Sequence, residues 1–409
     1  MKKRSFLNSR ILKVTDRIYS AVDYGRANVI YVVTNTSVVV IDSTESPNTA
    51  RVCFEAFRKI CRLPVAYLIY THFHGDHTRG ANVFCEAETT IIAHKLLPEE
   101  LAKVDMLDSY YRHATEIQFS FGSLPRRWEN SKRVVFISLQ EENGYLPPHV
   151  LVNKCYRFTE GGVIFELYHA PGETLDQLIV WLPQERTLLS ADLFYRGFPM
   201  LSSPMKPDRP VLNWAKSLER MRRFRPEYLV PSHGKPIRGS AIVDQLLRNY
   251  AQAIRHVHDQ TVKRINAGQG LEQIREEVRL PIRLARLSYL AQTYSTVRWA
   301  VNGIYRQYTG WYVFNPVELR PSPKLTRNAA ILAACGGYKP LLGGARRALR
   351  AGRNQLALEL IDVVLSAQPG NAAAREVKVI ALQRLAAAAS NAVEGVIYLN
   401  AAKEAAGGA

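Results

Sequence analysis

Between Asn28 and Asp42 the chain carries two β-branched runs, Val29-Ile30-Tyr31-Val32-Val33 and Val38-Val39-Val40-Ile41, on either side of Asn35-Thr36-Ser37. Strand formers around a short polar turn predict a hairpin. A helical pattern follows from about Thr49 to Cys61. The next apolar run, Val65 to Tyr70, is short and bounded by Pro64 and a polar loop, so it reads as a buried strand. Open α/β sheets hold ligands where such strands end. Further strands are expected at Val163–Tyr168, Leu178–Trp181, Thr187–Ser190 and Tyr228–Val230, with an amphipathic helix from Leu212 to Phe224 between the last two. The stretch from about Leu97 to Arg157 is less regular, rich in aromatics and arginine, and reads as an insertion that walls the site.

After about Ser240 the period changes to that of helices and strand signals nearly vanish. The proline-rich turn from Asn315-Pro316 to Pro321-Ser322-Pro323 cannot continue a helix and divides this part. Aromatic residues (Tyr294, Trp299, Tyr305, Tyr308, Trp311) precede it. Alanine-rich segments follow at Ala345–Ala351, Leu356–Ala367 and Ala372–Ala389, joined by Gly or Pro-Gly turns, which predicts stacked helical hairpins without a strict repeat. The expected division is an α/β domain over 1–240, with its insertion at about 97–157, and an all-α domain over 241–409.

Composition narrows the class. The chain is 47% hydrophobic and 22% charged over 409 residues, so a sizeable core is expected rather than disorder. The sequence has neither an apolar stretch long enough for a membrane span nor an amino-terminal secretory pattern, from which a cytoplasmic location is expected. Five scattered cysteines, Cys53, Cys61, Cys85, Cys155 and Cys335, suggest thiols rather than a disulfide framework. The net charge of +18 is spread along the chain without a block of five like charges, which fits a plain basic exterior or attraction of a small anionic ligand rather than a nucleic-acid partner.

The chemistry sits in Thr71-His72-Phe73-His74-Gly75-Asp76-His77. Three imidazoles and a carboxylate within six residues, directly after a strand, are zinc-type ligands at a density that packing does not explain. So short a loop cannot wrap all of them around one ion, so two ions are expected. The loop resembles the H-x-H-x-D-H signature of the metallo-β-lactamase superfamily, and the family's later ligand stretches follow in order: His169-Ala170-Pro171-Gly172-Glu173-Thr174, Ser190-Ala191-Asp192 and Pro231-Ser232-His233-Gly234. The resemblance implies an αββα sandwich holding two Zn2+, with manganese or iron as alternatives. It places His72, His74 and Glu173 on one ion and Asp76, His77 and His233 on the other. Asp192 lies between them, and Asp42 supports the loop from behind.

Glu173 stands where most of the superfamily has histidine and alkyl sulfatases have glutamate. Thr296 to Trp311, ending in Asn315-Pro316, is similar to the helical dimerisation domain that follows the catalytic domain in alkyl sulfatases. The narrower resemblance therefore implies a homodimeric hydrolase of alkyl sulfate esters, an anionic and amphiphilic substrate class, acting through a hydroxide that bridges the metals. Asp76 and Asp192 are the expected catalytic carboxylates. Because Asp76, Glu173 and Asp192 nearly cancel the charge of two ions, added cations are needed for a sulfate. Arg196, Lys206 and Arg209 follow Asp192 closely enough to supply them, as do Lys235 and Arg238 after His233. Two departures, Asp192 in place of glutamate and Tyr312-Val313-Phe314 before Asn315-Pro316, keep another ester, a lactone or a thioester as the alternative substrate. The residues present do not extend into the sterol-carrier-like domain found beyond this point in many alkyl sulfatases.

Overall fold

The computed structural model describes residues 9–119 and 142–407. Strands β1 (Arg10–Lys13), β2 (Ile18–Val22), β3 (Val29–Val33), β4 (Val38–Ile41), β5 (Val65–Ile69), β6 (Thr90–His94) and β7 (Val150–Val152) form one sheet in sequence order. A second sheet holds β8 (Cys155–Glu160), β9 (Val163–His169), β10 (Leu178–Leu182), β11 (Thr187–Ala191), β12 (Tyr228–Pro231) and β13 (Ile237–Arg238), also as neighbours in order. The expected hairpin is β3–β4, antiparallel with Val32 opposite Val39, and Thr34 N donates to Ser37 O at 2.9 Å across its turn.

The valine-rich runs are apolar at every position because both faces of their sheet are covered. Val29, Tyr31, Val38 and Val40 point into a core with Phe57, Cys53 and Ala50 of helix α1 (Pro47–Arg58). Ile30, Val32, Val39 and Ile41 point the other way, against Phe165, Leu167, Val180, Leu189 and Val230 of the second sheet. Helix α1 starts earlier than the periodicity suggests: Ser46 caps it by accepting from Thr49 N, and Pro47 is preset for the first turn. On the outer face of the second sheet the Val211–Arg223 helix packs through Phe224, whose ring lies 5.3 Å from Trp181 and 5.2 Å from Tyr168. The layers are helix, sheet, sheet, helix.

Part of the stretch expected to be irregular forms regular elements. Leu97–Met106 and Asp108–Phe119 are helices, and β7 and the first half of β8 follow within it; residues 120–141 lie outside the described part. The sequence reading also passed over β1, β2 and β6. These strands are four or five residues long, and β6 ends in buried His94, a polar residue that breaks the apolar signal.

Among the described residues, one compact unit comprises those up to Arg112 and from 142 to Gln307, including the long Ser240–Asn266 helix. The change of period at Ser240 therefore marks a change of secondary structure inside this unit. The other unit comprises 113–119 and 308–407. Its helices Lys324–Ala334, Tyr338–Arg350, Asn354–Ala367 and Ala372–Ala388 share a core of Leu342, Ala345, Leu349, Ile361, Val364 and Val377. Alanine at the contacts lets these helices approach closely. No helix of the described residues is long and apolar enough to cross a membrane.

Candidate metal centre

Strand β5 ends at Ile69, and the loop after it is pinned from below by one carboxylate. Asp42, fully buried at the end of β4, accepts Thr71 N at 2.9 Å and Thr71 Oγ1 at 3.0 Å, faces His77 Nδ1 at 2.8 Å and accepts Ser232 Oγ at 3.1 Å. It thus ties three segments far apart in sequence, and its own backbone is left-handed, with φ of 63°. The tie also fixes the His77 ring: with Nδ1 turned to Asp42, Nε2 points the other way, buried and without a hydrogen-bond partner.

That bare nitrogen faces a knot of ligand-type atoms. His77 Nε2 lies 3.6 Å from Asp76 Oδ2 and 3.5 Å from Asp192 Oδ2. His233 Nε2 lies 3.6 Å from Asp76 Oδ2 and 3.1 Å from Asp192 Oδ2. Four ligands about 2.1 Å from one ion stand roughly 3.4 Å apart, so these separations match the edges of a tetrahedral shell. His72 Nε2 stands 3.8 Å from the same Asp192 oxygen and 2.9 Å from His74 Nδ1. Two ligand-type groups emerge, His72 with His77 and Asp192, and Asp76 with His77 and His233.

Glu173 reaches the site on the loop after β9. A side chain at Gly172 would put its Cβ 2.2 Å from Leu193, so the close approach of this loop to the Asp192 loop requires glycine. Gln177 Oε1 accepts Glu173 N at 3.0 Å, and Thr174 Oγ1 donates to Asp176 Oδ1 at 2.6 Å. Burial pushes the Asp176 carboxyl up to about 7. Glu173 itself splits its oxygens: Oε1 takes Arg209 Nη2 at 2.7 Å, while Oε2 is buried with no partner. Asp192 likewise leaves Oδ1 buried and unpartnered, and the preceding Ala191 is held at φ of 49°. Buried polar atoms without partners are costly. Three of them on one set of nitrogen and oxygen ligands fit divalent metal ions.

The electrostatics fit as well. Burial holds the His72 and His74 imidazoles well below their ordinary range, so both keep a lone pair for a metal. Burial also opposes charge on His77 and His233, yet the carboxylates overcome it. Asp192, Asp42 and Asp76 hold His77 well above its ordinary value, and Asp192 with Asp76 lifts His233 to about 9. Burial works against ionised Asp76 and Asp192 too, but His77 and His233 bring Asp76 down to about 2 and hold Asp192 well below its ordinary range.

Of the expected basic residues, Arg209 is on Glu173, and both are nearly inaccessible. Lys206 lies in the field of His74, Asp76 and Glu173, and burial, helped by Arg209, lowers it to about 8. Arg196 is exposed, with no ion pair among the described residues. Arg238 pairs with Glu227 at 3.8 Å and lies over the Tyr228 ring. His169 instead stacks on His94, ring centroids 4.0 Å apart.

Three contributors were not legible in the sequence. Arg26 O faces His233 Nδ1 at 2.9 Å, and Asn28 Nδ2 donates to Pro231 O at 3.0 Å and Gly234 O at 2.7 Å, so the β2–β3 connection fixes the late histidine. Tyr294 feels Glu173, Asp76, Arg209 and Asp192, and burial pushes its hydroxyl far above the usual phenol range. Each is a single residue without a spacing pattern.

An αββα sandwich with ligand-type residues gathered on the loops after β5, β9, β11 and β12 defines the class. The metallo-beta-lactamase superfamily model matches residues 22–233, and the chain belongs to that superfamily. A second model, alkyl sulfatase dimerisation, matches residues 270–408. A linear primary-alkylsulfatase from a Pseudomonas species is 29% identical over 387 residues, covering 90% of this chain and 71% of that protein. An alkyl/aryl-sulfatase of Saccharomyces cerevisiae is 26% identical, covering 96% of this chain and 63% of that one. In fold, the chain is similar to the solved stereoselective inverting sec-alkylsulfatase Pisa1 from Pseudomonas sp., with a TM-score of 0.91 and 24% identity over 98% of this chain and 66% of the other. This chain thus spans about two thirds of the length of these relatives.

Proposed function

We propose that this protein is a binuclear zinc hydrolase of alkyl sulfate esters. The observation that carries the reading is Glu173: a buried carboxylate with one oxygen on Arg209 and the other bare, at the position where alkyl sulfatases differ from most of the superfamily. The similarity to named alkylsulfatases over nine tenths or more of the chain supports the same substrate class. His72, His74 and Glu173 would hold one ion and Asp76, His77 and His233 the other, with Asp192 shared. Ions held by these residues would supply a lowered water pKa, near neutrality, and neutralise charge on the departing group.

The chain's own groups do the rest. Arg209 fixes the Glu173 carboxylate, while Lys206 offers a half-buried cation to the non-bridging sulfate oxygens, with exposed Arg196 as the third cation of the set. Lys206 carries its charge below about 8 and loses it above. The KM for an alkyl sulfate should therefore rise as pH passes 8, by about tenfold per pH unit at most, while kcat changes less.

The deciding assay incubates the zinc-loaded protein with dodecyl sulfate, a secondary alkyl sulfate and a lactone. Sulfate release from either ester is the expected outcome, and turnover of the lactone alone would replace this reading with the ester, lactone or thioester alternative that the Asp192 departure keeps open. The match of residues 270–408 to a dimerisation model supports a homodimer. Light scattering should then give roughly twice the 46.2 kDa chain mass. A species at the chain mass across micromolar concentrations would refute it.

A further inference from the structure

A cavity of about 680 Å3 opens at the far end of the Val211–Arg223 helix. It is lined by four arginines, Arg186, Arg222, Arg223 and Arg225, and two acidic residues, Glu219 and Asp244. Both carboxylates are already engaged. Asp244 accepts Arg222 Nε at 2.8 Å, Arg222 Nη2 at 3.2 Å and Arg248 Nη2 at 2.8 Å. Glu219 accepts Arg255 Nε at 2.7 Å and Arg255 Nη2 at 2.8 Å. Arg223 and Arg225 form no ion pair among the described residues, so the cavity keeps an excess of positive charge.

Arginines in the last turn of a helix are favoured by its dipole, which accounts for Arg222 and Arg223. It does not account for Arg186, which comes from the turn between β10 and β11, while Arg225 follows the helix directly and donates its N–H to Arg222 O at 3.1 Å. Arg186 is braced: its Nη2 donates to Arg225 O at 3.3 Å and to Ser240 Oγ at 3.1 Å. Arg225 is held at φ of 50° and followed by Pro226, so its backbone direction is fixed. Arginines brought to one concave surface by two segments, the helix end and the β10–β11 turn, suit oxyanions. The volume is that of a small-molecule site rather than a groove for a polymer.

We infer that this cavity binds a small anion with two neighbouring phosphate- or sulfonate-type groups. It shares no residue with the metal centre, so the inference stands apart from the proposed sulfatase activity. The test is calorimetry on the zinc-loaded protein with methanedisulfonate, a poor metal ligand, and inorganic sulfate as the single-anion arm. The expected result is one-to-one binding of the disulfonate, at least about tenfold tighter than sulfate. Arg223→Ala/Arg225→Ala should weaken it by at least about tenfold. The exposed pair Arg346→Ala/Arg350→Ala, which removes the same net charge elsewhere, should leave it unchanged, as should His74→Ala. Absent binding, equal binding by the Arg223/Arg225 variant, equal affinity for sulfate, loss in the Arg346/Arg350 variant or loss in His74→Ala would each overturn the inference.

Discussion

His77→Ala should lower sulfate release from a good alkyl sulfate by at least ~10³-fold, and exhaustive chelation of the wild-type protein should do the same. His77 is the residue common to both ligand-type groups, and its Nε2 is buried, bare and within 3.6 Å of two carboxylates. Removing it strips one corner from a shell and leaves Asp76 and Asp192 facing each other without the imidazole between them. Metal-ion catalysis contributes several kcal/mol, and ~4 kcal/mol corresponds to ~10³ in rate. Elemental analysis of the purified variant should show depleted zinc, with far-ultraviolet circular dichroism as for the parent. Sulfate release that survives chelation, with metal content verified as nil, would remove the basis of the metallohydrolase reading.

Asp42→Ala should be the most damaging change at a residue that is not itself a proposed ligand. One fully buried carboxylate receives the Thr71 amide, the Thr71 hydroxyl and the Ser232 hydroxyl, and it orients His77. Deleting it leaves those partners buried and unpaired, at a cost of about 3–5 kcal/mol. Metal affinity should fall by about 10- to 100-fold, since the His77 ring loses the contact that turns Nε2 to the site. Asp42→Asn, which keeps the shape but not the charge, should recover much of the stability but little of the affinity. Thermal melts read against zinc titrations separate the two effects. A variant with unaltered zinc affinity would show that the loop holds its shape without this tie.

Much of the fold was written in local patterns. The Val29–Val33 and Val38–Ile41 runs announced strands covered on both faces, and the runs ending at Ile69 and Val230 deliver His72 and His233 into the site. The helices in 97–119 were missed because their polar and aromatic residues leave only Leu97, Ala114, Gln118 and Phe119 buried, too few for a clear stripe. Strand β6 was missed because its last residue is histidine, buried by its bond to Asn153 O at 2.8 Å, a contact between residues 59 apart.

By itself the sequence determined which ligand types exist and in what order, because the His72-x-His74-x-Asp76-His77 spacing and the three later stretches are local facts. It equally determined that the chain has an α/β part followed by an all-α part, because strand and helix leave different periods. Only the tertiary structure decided which atoms meet: that Asp42 ties Thr71, His77 and Ser232 together, that Glu173 gives one oxygen to Arg209, and that Arg26 and Asn28 set His233. Lys206 and Arg209 came into the field of the centre while Arg196 turned to solvent, although all three follow Asp192 within seventeen residues. Such pairings join residues up to 207 positions apart. Their reach is set by how two sheets pack, which no window of sequence contains.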